Sequence, residues 1–178
     1  MSMFVEEFKA RLDGGGTRTN LFRATIVLQG GPQVPEKTSF LCKAASIPPS
    51  DVATIEVPFR GRVVKVAGDR TFQPWNVTII NDVDFAVRAV MEQWHSQNLN
   101  SHTENIGDQK PLSYKSDMMV DQLDKEGSTL RTYKFVGCWI QNIGEIALSY
   151  DNANQIGEFP VVIEYDYWTA EGNGGTVR

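Results

Sequence analysis

Cysteine and histidine are scarce in this sequence of 178 residues. Its two cysteines, Cys42 and Cys138, belong to no CxxC motif, and His95 and His102 do not form an i, i+4 pair. No carboxylate cluster at ligand spacing accompanies the histidines, so the sequence predicts neither a zinc nor a redox site. Each cysteine lies in an apolar segment, where it is typically a small buried hydrophobe. A disulfide between them is the alternative, which spacing alone does not decide.

Motifs for phosphate binding and catalysis are also missing. The segment AGDRT, residues 67–71, has one glycine, no lysine and a strand after it, whereas a phosphate loop needs two spaced glycines, a lysine and a helix. We predict instead a turn at Gly68-Asp69-Arg70, where glycine permits positive φ and Asp69 bonds the following backbone. No GxSxG elbow occurs, and no carboxylate pair stands out as acid and base. We therefore expect no enzymatic activity and no cofactor.

Runs of basic or apolar residues are absent as well. The formal net charge is −5 and the pI is about 5.1, a balance that disfavours binding to nucleic acid or anionic membranes. No apolar run approaches the roughly 18 residues of a membrane span. The start, MSMFVEEFKARL, lacks the basic residues and apolar core of a signal peptide. We expect one soluble domain made in a cytoplasm, long enough to bury a core.

Helical and β patterns divide the chain. Phe4, Phe8 and Leu12 recur at helical spacing before Gly14-Gly15-Gly16, which predicts a short N-terminal helix on an arm of residues 1–19. Alternating residues predict most of the rest as β structure. The expected strands are 22–28, 39–45, 55–59, 62–66, one from Phe72 or Trp75 to Ile80, then 114–123, 129–140, 146–150 and 159–168.

One of these pairs of strands forms a hairpin with its turn near Arg60-Gly61. Ile55, Val57 and Phe59 alternate with polar residues before that turn. Pro58 has no backbone donor, which predicts an edge strand at that point. Since an edge strand is a template for pairing with another chain, the hairpin is a candidate interaction surface.

A single long helix is expected over residues 83–98. It follows the N-cap types Asn81, Asp82 and Asp84. One apolar stripe at i, i+3, i+4 and i+7 predicts packing against a sheet in preference to a cofactor site; its members are Val87, Val90, Met91 and Trp94.

The remaining segments are predicted as loops and one long strand. Residues 99–113 are polar and read as a loop, and residues 124–128 as a hairpin turn. In the strand predicted at 129–140, Tyr133, Phe135 and Trp139 are expected on one face. A glycine-rich tail over 169–178 should be flexible. The sum is a mainly β fold: an antiparallel β-sandwich or barrel with one flanking α-helix (about 83–98) and a short N-terminal helix.

Five stretches of the sequence are compared with a known family: MFVEEF, NLFRATI, FLCKAASIPPS, VAGDRTFQPWNVTIIND and GCWIQNIGEIALSYDNANQIGEFPVVIEYDYW. Together they resemble the tail tube proteins of contractile-tailed bacteriophages, over roughly residues 3–168. The most specific are the AGDRTF…W…ND run and the W-x-x-N-x-G-E run, while residues 99–128 contribute little.

This resemblance implies a structural protein of the virion tail. Members of the family form hexameric rings that stack into a hollow tube inside a contractile sheath. The implied partners are further copies of the chain, the sheath, the baseplate or hub, the tape-measure protein and the tail terminator. DNA would pass through the lumen without specific binding, past acidic walls that let it slide, and contraction would drive the tube through the host envelope.

Contacts between subunits are expected at the hairpin and at the N-terminal arm. The hairpin over 52–67 is predicted to contact the next ring, with Asp69 and Arg70 bracing it or pairing across subunits. The predicted inter-subunit residues are Ile55, Val57, Pro58, Phe59, Arg60, Arg62, Val64, Asp69, Arg70, Phe4 and Phe8.

Two alternatives stay open from the sequence alone. The first is a related protein: the tube protein of a related injection or secretion system, or the baseplate protein that initiates the tube. The second is a monomeric β-sandwich that binds a small ligand or sugar, for which four tryptophans could line a pocket. Self-assembly of the purified protein would distinguish a tube protein from a monomeric ligand-binding module.

Overall fold

The computed structural model describes residues 16–30, 33–47, 49–99, 110–151 and 153–177. The predicted N-terminal helix, with Phe4 and Phe8, and most of the predicted loop 99–113 lie outside these ranges. The strands are β1 Phe22–Thr25, β2 Cys42–Ala45, β3 Ser50–Phe59, β4 Arg62–Phe72, β5 Trp75–Ile80, β6 Ser116–Leu123, β7 Thr129–Ile143, β8 Glu158–Glu164 and β9 Tyr167–Gly172. The helices are α1 Thr38–Leu41, α2 Ala86–Trp94 and α3 Pro111–Tyr114, and a π-helical turn, His95–Leu99, follows α2.

Seven strands form one antiparallel sheet in the order β1-β6-β7-β8-β5-β2, with β9 paired to β7. The long strand β7 holds the two halves together, because its first half pairs with β6 and β9 and its second half with β8. Inward-facing residues of both halves share one core, and α1 contacts both β1 and β2 at the ends of the sheet. The predicted antiparallel sandwich or barrel is confirmed.

Aromatic residues fill the centre of this core. The rings of Trp75 and Phe135 stack with centroids 4.5 Å apart, and both side chains are fully buried. Helix α2 covers the core with Val87, Met91 and Trp94, and the Trp94 indole donates a hydrogen bond to the Gln29 carbonyl at 2.9 Å. The predicted stripe therefore packs as expected.

The start of α2 differs from the prediction. The helix begins at Ala86 instead of residue 83, because Phe85 at its N-cap adopts the left-handed conformation with φ 52° and no side chain caps it. The predicted cap residue Asp82 instead forms an ion pair with Lys37. That pairing holds the pKa of Asp82 below its usual range and raises the pKa of Lys37.

Strand β7 does not place its aromatic residues on one face. Between Ser116 and Met118 the register with β7 shifts, so that Ser116 opposes Cys138 and Met118 opposes Phe135. The buried positions pass from Phe135 to Cys138, and Trp139 falls on the opposite side from Phe135. Gly137 sits in this bulge with φ 70°, a backbone conformation that strongly favours glycine.

Other predicted strands were wrong in their bounds or type; the strand predicted from residue 22 ends at Thr25, and the one predicted from Tyr114 begins at Ser116. The strand predicted at 39–45 opens with α1, whose first turn bonds Thr38 N–H to the Pro35 carbonyl at 2.9 Å. Residues 146–150, all described by the structure, form no strand. The strand predicted at 159–168 breaks at Asp166, whose N–H bonds the Val136 carbonyl at 2.9 Å as β8 gives way to β9.

The C-terminal segment enters the sheet further than predicted. Strand β9 runs to Gly172 along β7. Beyond it, Val177 N–H donates to the Ala170 carbonyl at 2.7 Å, and Ala170 N–H donates back at 3.0 Å. The expected tail boundary at residue 169 was therefore too early.

Candidate assembly surface

Strands β3 and β4 form a hairpin of their own. Within the described ranges, neither strand pairs with the main sheet. Arg60 and Gly61 form the turn with φ 46° and 80°, and the flanking pair is Phe59 opposite Arg62. Two central residues with positive φ define the type I′ turn, whose twist suits a two-residue hairpin. The predicted hairpin and the position of its turn are confirmed.

The Gly68-Asp69-Arg70 turn predicted from the sequence is wrong. These residues lie inside β4, where the register shifts between Val52 opposite Arg70 and Thr54 opposite Ala67. Two residues, Gly68 and Asp69, therefore oppose Ala53 in a β-bulge. A Cβ at Gly68 would lie 3.0 Å from the Ala53 carbonyl oxygen and 3.1 Å from Ile55. The space beside Gly68 is therefore tight for a larger residue, and the chain turns back towards β5 only after Phe72.

We call residues 54–67, the part of the hairpin beyond the bulge, the outer hairpin; one of its faces is apolar. In an antiparallel pair, directly opposed residues lie on the same face. Ile55 opposes Val66, Val57 opposes Val64, and Phe59 opposes Arg62 at the end. We call these five hydrophobic residues the apolar face; they are Ile55, Val57, Phe59, Val64 and Val66. All five are exposed, Phe59 at 62%.

The other face of the outer hairpin is mixed. Glu56 opposes Lys65, Pro58 opposes Val63, and Thr54 opposes Ala67. Glu56 and Lys65 form a long ion pair of 3.9 Å. Pro58, which cannot donate a backbone hydrogen bond, takes a place in a strand whose outer edge is unpaired among the described residues, in agreement with the edge-strand prediction.

The hairpin is exposed on both faces. Each residue from Asp51 to Ala67 is exposed, so no residue of this segment is buried by the rest of the described chain. A two-stranded hairpin alone in water is marginally stable, and a contiguous exposed apolar patch marks an interaction site. The hairpin therefore has the physical properties of a surface that another molecule covers.

Charged residues of the hairpin fall into two groups. At the tip, Arg60 lies over the Phe59 ring, 5.3 Å from its centroid, and neither Arg60 nor Arg62 forms an ion pair with a described residue. Asp69 and Arg70 are exposed at the bulge, and they likewise form no ion pair within the described ranges. Bracing of the hairpin by these two side chains is therefore not seen, and pairing across subunits remains a prediction.

A second exposed apolar cluster was missed by the sequence patterns. Leu148, Tyr150 and Ile156 lie in the loop between β7 and β8, and Leu148 is 90% exposed. We call residues 144–151 and 153–157 the distal loop. Next to it lies an open groove of about 760 Å³, whose lining includes Lys43, Ile80 and Glu158. The stretch SYDNANQIG is polar, contains glycine and is typical of a loop. The strand predicted at Ile146–Tyr150 is wrong.

The cysteines and tryptophans belong to the core. Cys42 and Cys138 are free and buried, which confirms their interpretation as buried hydrophobes and not as a disulfide. Burial raises the pKa of Cys42 to about 11 and that of Cys138 to about 12, so both remain thiols at neutral pH. Trp75 and Trp94 are fully buried, and Trp139 and Trp168 pack at the edge of the same core. This arrangement does not provide the aromatic pocket that a ligand-binding module would need.

Two further searches of the described residues found no candidate chemistry of another kind. No group of three or more His, Cys, Asp or Glu residues within these ranges is placed to hold a metal ion. Among the helices described, none has the length and apolar character needed to cross a membrane.

Comparison with known proteins places the whole chain beside one family. A family model described as "Phage tail tube protein" matches residues 4–171. The tail tube protein gp19 of Enterobacteria phage T4 is 34% identical over 168 residues, which cover 93% of this chain and 99% of that protein. The tail tube protein of Serratia phage KSP90 is 28% identical over 166 residues, covering 90% and 93%.

Solved structures with low sequence identity share the fold. A chain of the sheath–tube complex of an extracellular contractile injection system, PVC, aligns with a TM-score of 0.60 at 12% identity, covering 96% of this chain and 99% of that one. A chain of the anti-feeding prophage baseplate gives 0.65 at 8% identity, covering 89% and 97%. An Hcp protein gives 0.53 at 13% identity, covering 88% and 93%.

Proposed function

This chain belongs to the phage tail tube protein family, and on that premise we propose that it forms hexameric rings that stack into a hollow tube, with the β3–β4 hairpin as a contact between copies. The protein is a structural component of the virion tail, and we assign it no catalytic role. The observation that supports the proposal best is the hairpin itself: a long element with an apolar face, attached to an otherwise well-packed body.

Covering the apolar face would release appreciable free energy. Complete burial of a large apolar side chain contributes about 1.5–3 kcal/mol. The five side chains of the apolar face are already about half covered, so a partner would gain roughly 1 kcal/mol from each. The sum, on the order of 5 kcal/mol for each hairpin, offsets a sizeable part of the entropy lost on association. In a ring of six copies this gain is multiplied.

Stacking requires contacts that differ at the two ends of a subunit. A heterologous contact, in which one surface binds a different surface of the next copy, forms a ring if the rotation closes and a filament if it does not. A tube of stacked rings uses both outcomes. The hairpin joins the main sheet at the Trp75 end of β5 and is exposed along its length, which suits it to the contact between rings that was predicted for residues 52–67.

The partners follow from the same proposal. The sheath would surround the tube, the baseplate or hub would start it, the tape-measure protein would set its length and the terminator would close it. The similar folds found in a sheath–tube complex and in a baseplate support these assignments. DNA would pass along the lumen without specific binding, favoured by the net charge of −5. Contraction would drive the tube through the host envelope.

The proposal is tested by electron microscopy of the purified chain in negative stain, after its size has been measured in solution. The wild type is expected to form rings and tubes, spontaneously or on added baseplates. Val57→Asp introduces a charge into the apolar face and should prevent rings from stacking into tubes while leaving the fold intact. Val83→Asp, at a valine that is 97% exposed, is the matched control and should assemble normally. A wild type that stays monomeric on baseplates would overturn the proposal.

A further inference from the structure

The hairpin and the distal loop emerge from opposite ends of the main sheet. Strand β5 runs from Trp75 to Ile80, and the hairpin joins it at the Trp75 end through residues 73–74. The distal loop lies at the other end, because it leads into Glu158, which opposes Ile80. The hairpin and the distal loop therefore leave the main sheet at opposite ends of a six-residue strand of about 20 Å.

The distal loop is held in place at both ends. Gly144 N–H donates to the Pro160 carbonyl at 2.7 Å, and Asn81 N–H donates to the Gly157 carbonyl at 2.8 Å. From helix α2, the Arg88 guanidinium donates to the Gly144 carbonyl at 3.0 Å. These anchors are on the body of the fold, so the loop presents its exposed side chains from a fixed base. A surface that is ordered before binding loses less entropy on binding.

The two surfaces carry opposite charge. Residues 144–158 contain three acids, Glu145, Asp151 and Glu158, and no lysine or arginine. Lys43 pairs with Glu158 at 2.5 Å, whereas Glu145 and Asp151 form no ion pair with a described residue. At the hairpin tip the two arginines are likewise unpaired. Opposite charges around apolar centres favour one orientation of docking and raise the association rate.

We propose that the distal loop and its groove are the surface on which the hairpin of a second copy of this chain docks. This inference rests on the proposed function, in which the hairpin is a contact between copies, and it identifies the other side of that contact. The apolar face of the hairpin lies against Leu148, Tyr150 and Ile156, and the arginines of the tip lie near the acids of the loop.

The geometry makes the contact directional. Each copy offers a hairpin at one end and a distal loop at the other, so the contact is heterologous and repeats from one layer to the next without closing. A hairpin-to-hairpin contact would instead be isologous and would end at two layers. The proposal therefore accounts for growth of a stack in one sense along its axis.

Two variants, alone and mixed, test the proposal. Val57→Asp blocks the hairpin and leaves the loop intact, and Leu148→Asp blocks the loop and leaves the hairpin intact. Neither variant alone should form stacks. The mixture should form complexes of two layers that grow no further, because the intact hairpin of one variant docks on the intact loop of the other. Mass photometry and negative-stain microscopy measure the number of layers.

The control is Leu112→Asp, because Leu112 is 89% exposed, like Leu148, and lies outside both surfaces. It should assemble like the wild type. Normal tubes from Leu148→Asp would overturn the inference and leave the proposed function standing, provided that Val57→Asp still fails to assemble. Normal tubes from Val57→Asp would overturn the proposed role of the hairpin and the inference with it.

A crosslinking experiment gives an independent readout. One copy carries Val57→Cys and the other carries Leu148→Cys, and the mixture is treated with a short bis-maleimide after assembly. The native thiols are buried and should not react. We expect a covalent dimer from the mixture and none from either variant alone. Assembled tubes that give no dimer in the mixture would contradict the inference.

Discussion

The body of the molecule and its hairpin use the same residue types in opposite ways. In the body, strand residues such as Val161 and Ile163 alternate into a core and are fully buried. In the hairpin, Ile55, Val57 and Val64 alternate in the same manner but face no other part of the described chain. Alternating apolar and polar residues indicate that one face of a strand is to be buried. They do not indicate whether the same chain or another chain buries it.

This difference predicts that the two regions respond to mutation in different measurements. Changes in the body should alter the free energy of unfolding. Changes in the hairpin should alter assembly and leave the unfolding of the isolated subunit nearly unchanged, because exposed positions usually shift stability by less than about 0.5 kcal/mol. Each prediction below tests that separation.

The largest expected effect on stability is that of Phe135→Ala. The Phe135 ring is fully buried between Trp75 and Tyr165, with centroid distances of 4.5 and 5.1 Å. Truncating a buried Phe costs about 3–5 kcal/mol, from lost burial and from the cavity left behind. Urea denaturation of the isolated subunit should show this loss as a lower midpoint of unfolding. A loss below about 1 kcal/mol would mean that the core is not packed as described.

A smaller loss of stability is expected from Gly137→Ala in the bulge of β7. A Cβ there would clash with the Asp166 carboxylate, and φ is 70°. Moving Asp166 would disturb its ion pair with Lys115, which has a distance of 2.6 Å. Strain of this kind costs about 1–3 kcal/mol. Thermal unfolding measures it, and Gly127→Ala is the control, with positive φ but no atom within 4 Å of the added Cβ.

These bulges mark what the sequence could not supply. Regular alternation correctly predicted most strands and the apolar stripe of α2, because each depends on a short repeat that residues show directly. The bulge at Gly137 and the bulge at Gly68 depend on the partner strand. The register between two strands cannot be predicted from the sequence of either strand alone. For this reason Phe135 and Trp139 were placed on one face, and Gly68-Asp69-Arg70 was placed in a turn.

The candidate surface was predictable in part for the same reason. The hairpin is local: its turn, its alternation and Pro58 are within a few residues of each other. That the apolar face stays uncovered is a property of the tertiary structure, since it depends on where every other strand goes. The distal loop was missed because Ile146 and Leu148 suggest a strand. In the structure Ile146 packs against the core and Leu148 is exposed, an outcome set by the closure of β7 onto β8.

A strained turn in the hairpin should affect assembly more than stability. Gly61 has φ 80° and nothing within 4 Å of an added Cβ, so Gly61→Ala adds backbone strain of about 1 kcal/mol without a clash. Since the outer hairpin packs against no described part of the body, the melting temperature of the isolated subunit should hardly change. The concentration needed for assembly should rise several-fold. A clear fall in melting temperature with normal assembly would show that the hairpin contributes to the stability of the subunit and not to assembly, contrary to this prediction.

The smallest expected effect is that of Asp82→Asn, which removes the ion pair with Lys37 in the body. Lys37 holds the pKa of Asp82 below its ordinary value near 3.9. A depressed carboxyl pKa contributes stability above the unfolded-state pKa, and this contribution is lost as pH falls through the lower pKa of the folded state. Asp82→Asn should therefore lower the melting temperature slightly at pH 7, and the difference should shrink once the pH falls below the ordinary pKa of a carboxyl group and through the lower pKa of the folded state. Assembly should be unaffected, because the pair lies outside both the hairpin and the distal loop. An effect on assembly without one on melting would place this end of α2 in a contact between copies and weaken the division between body and hairpin.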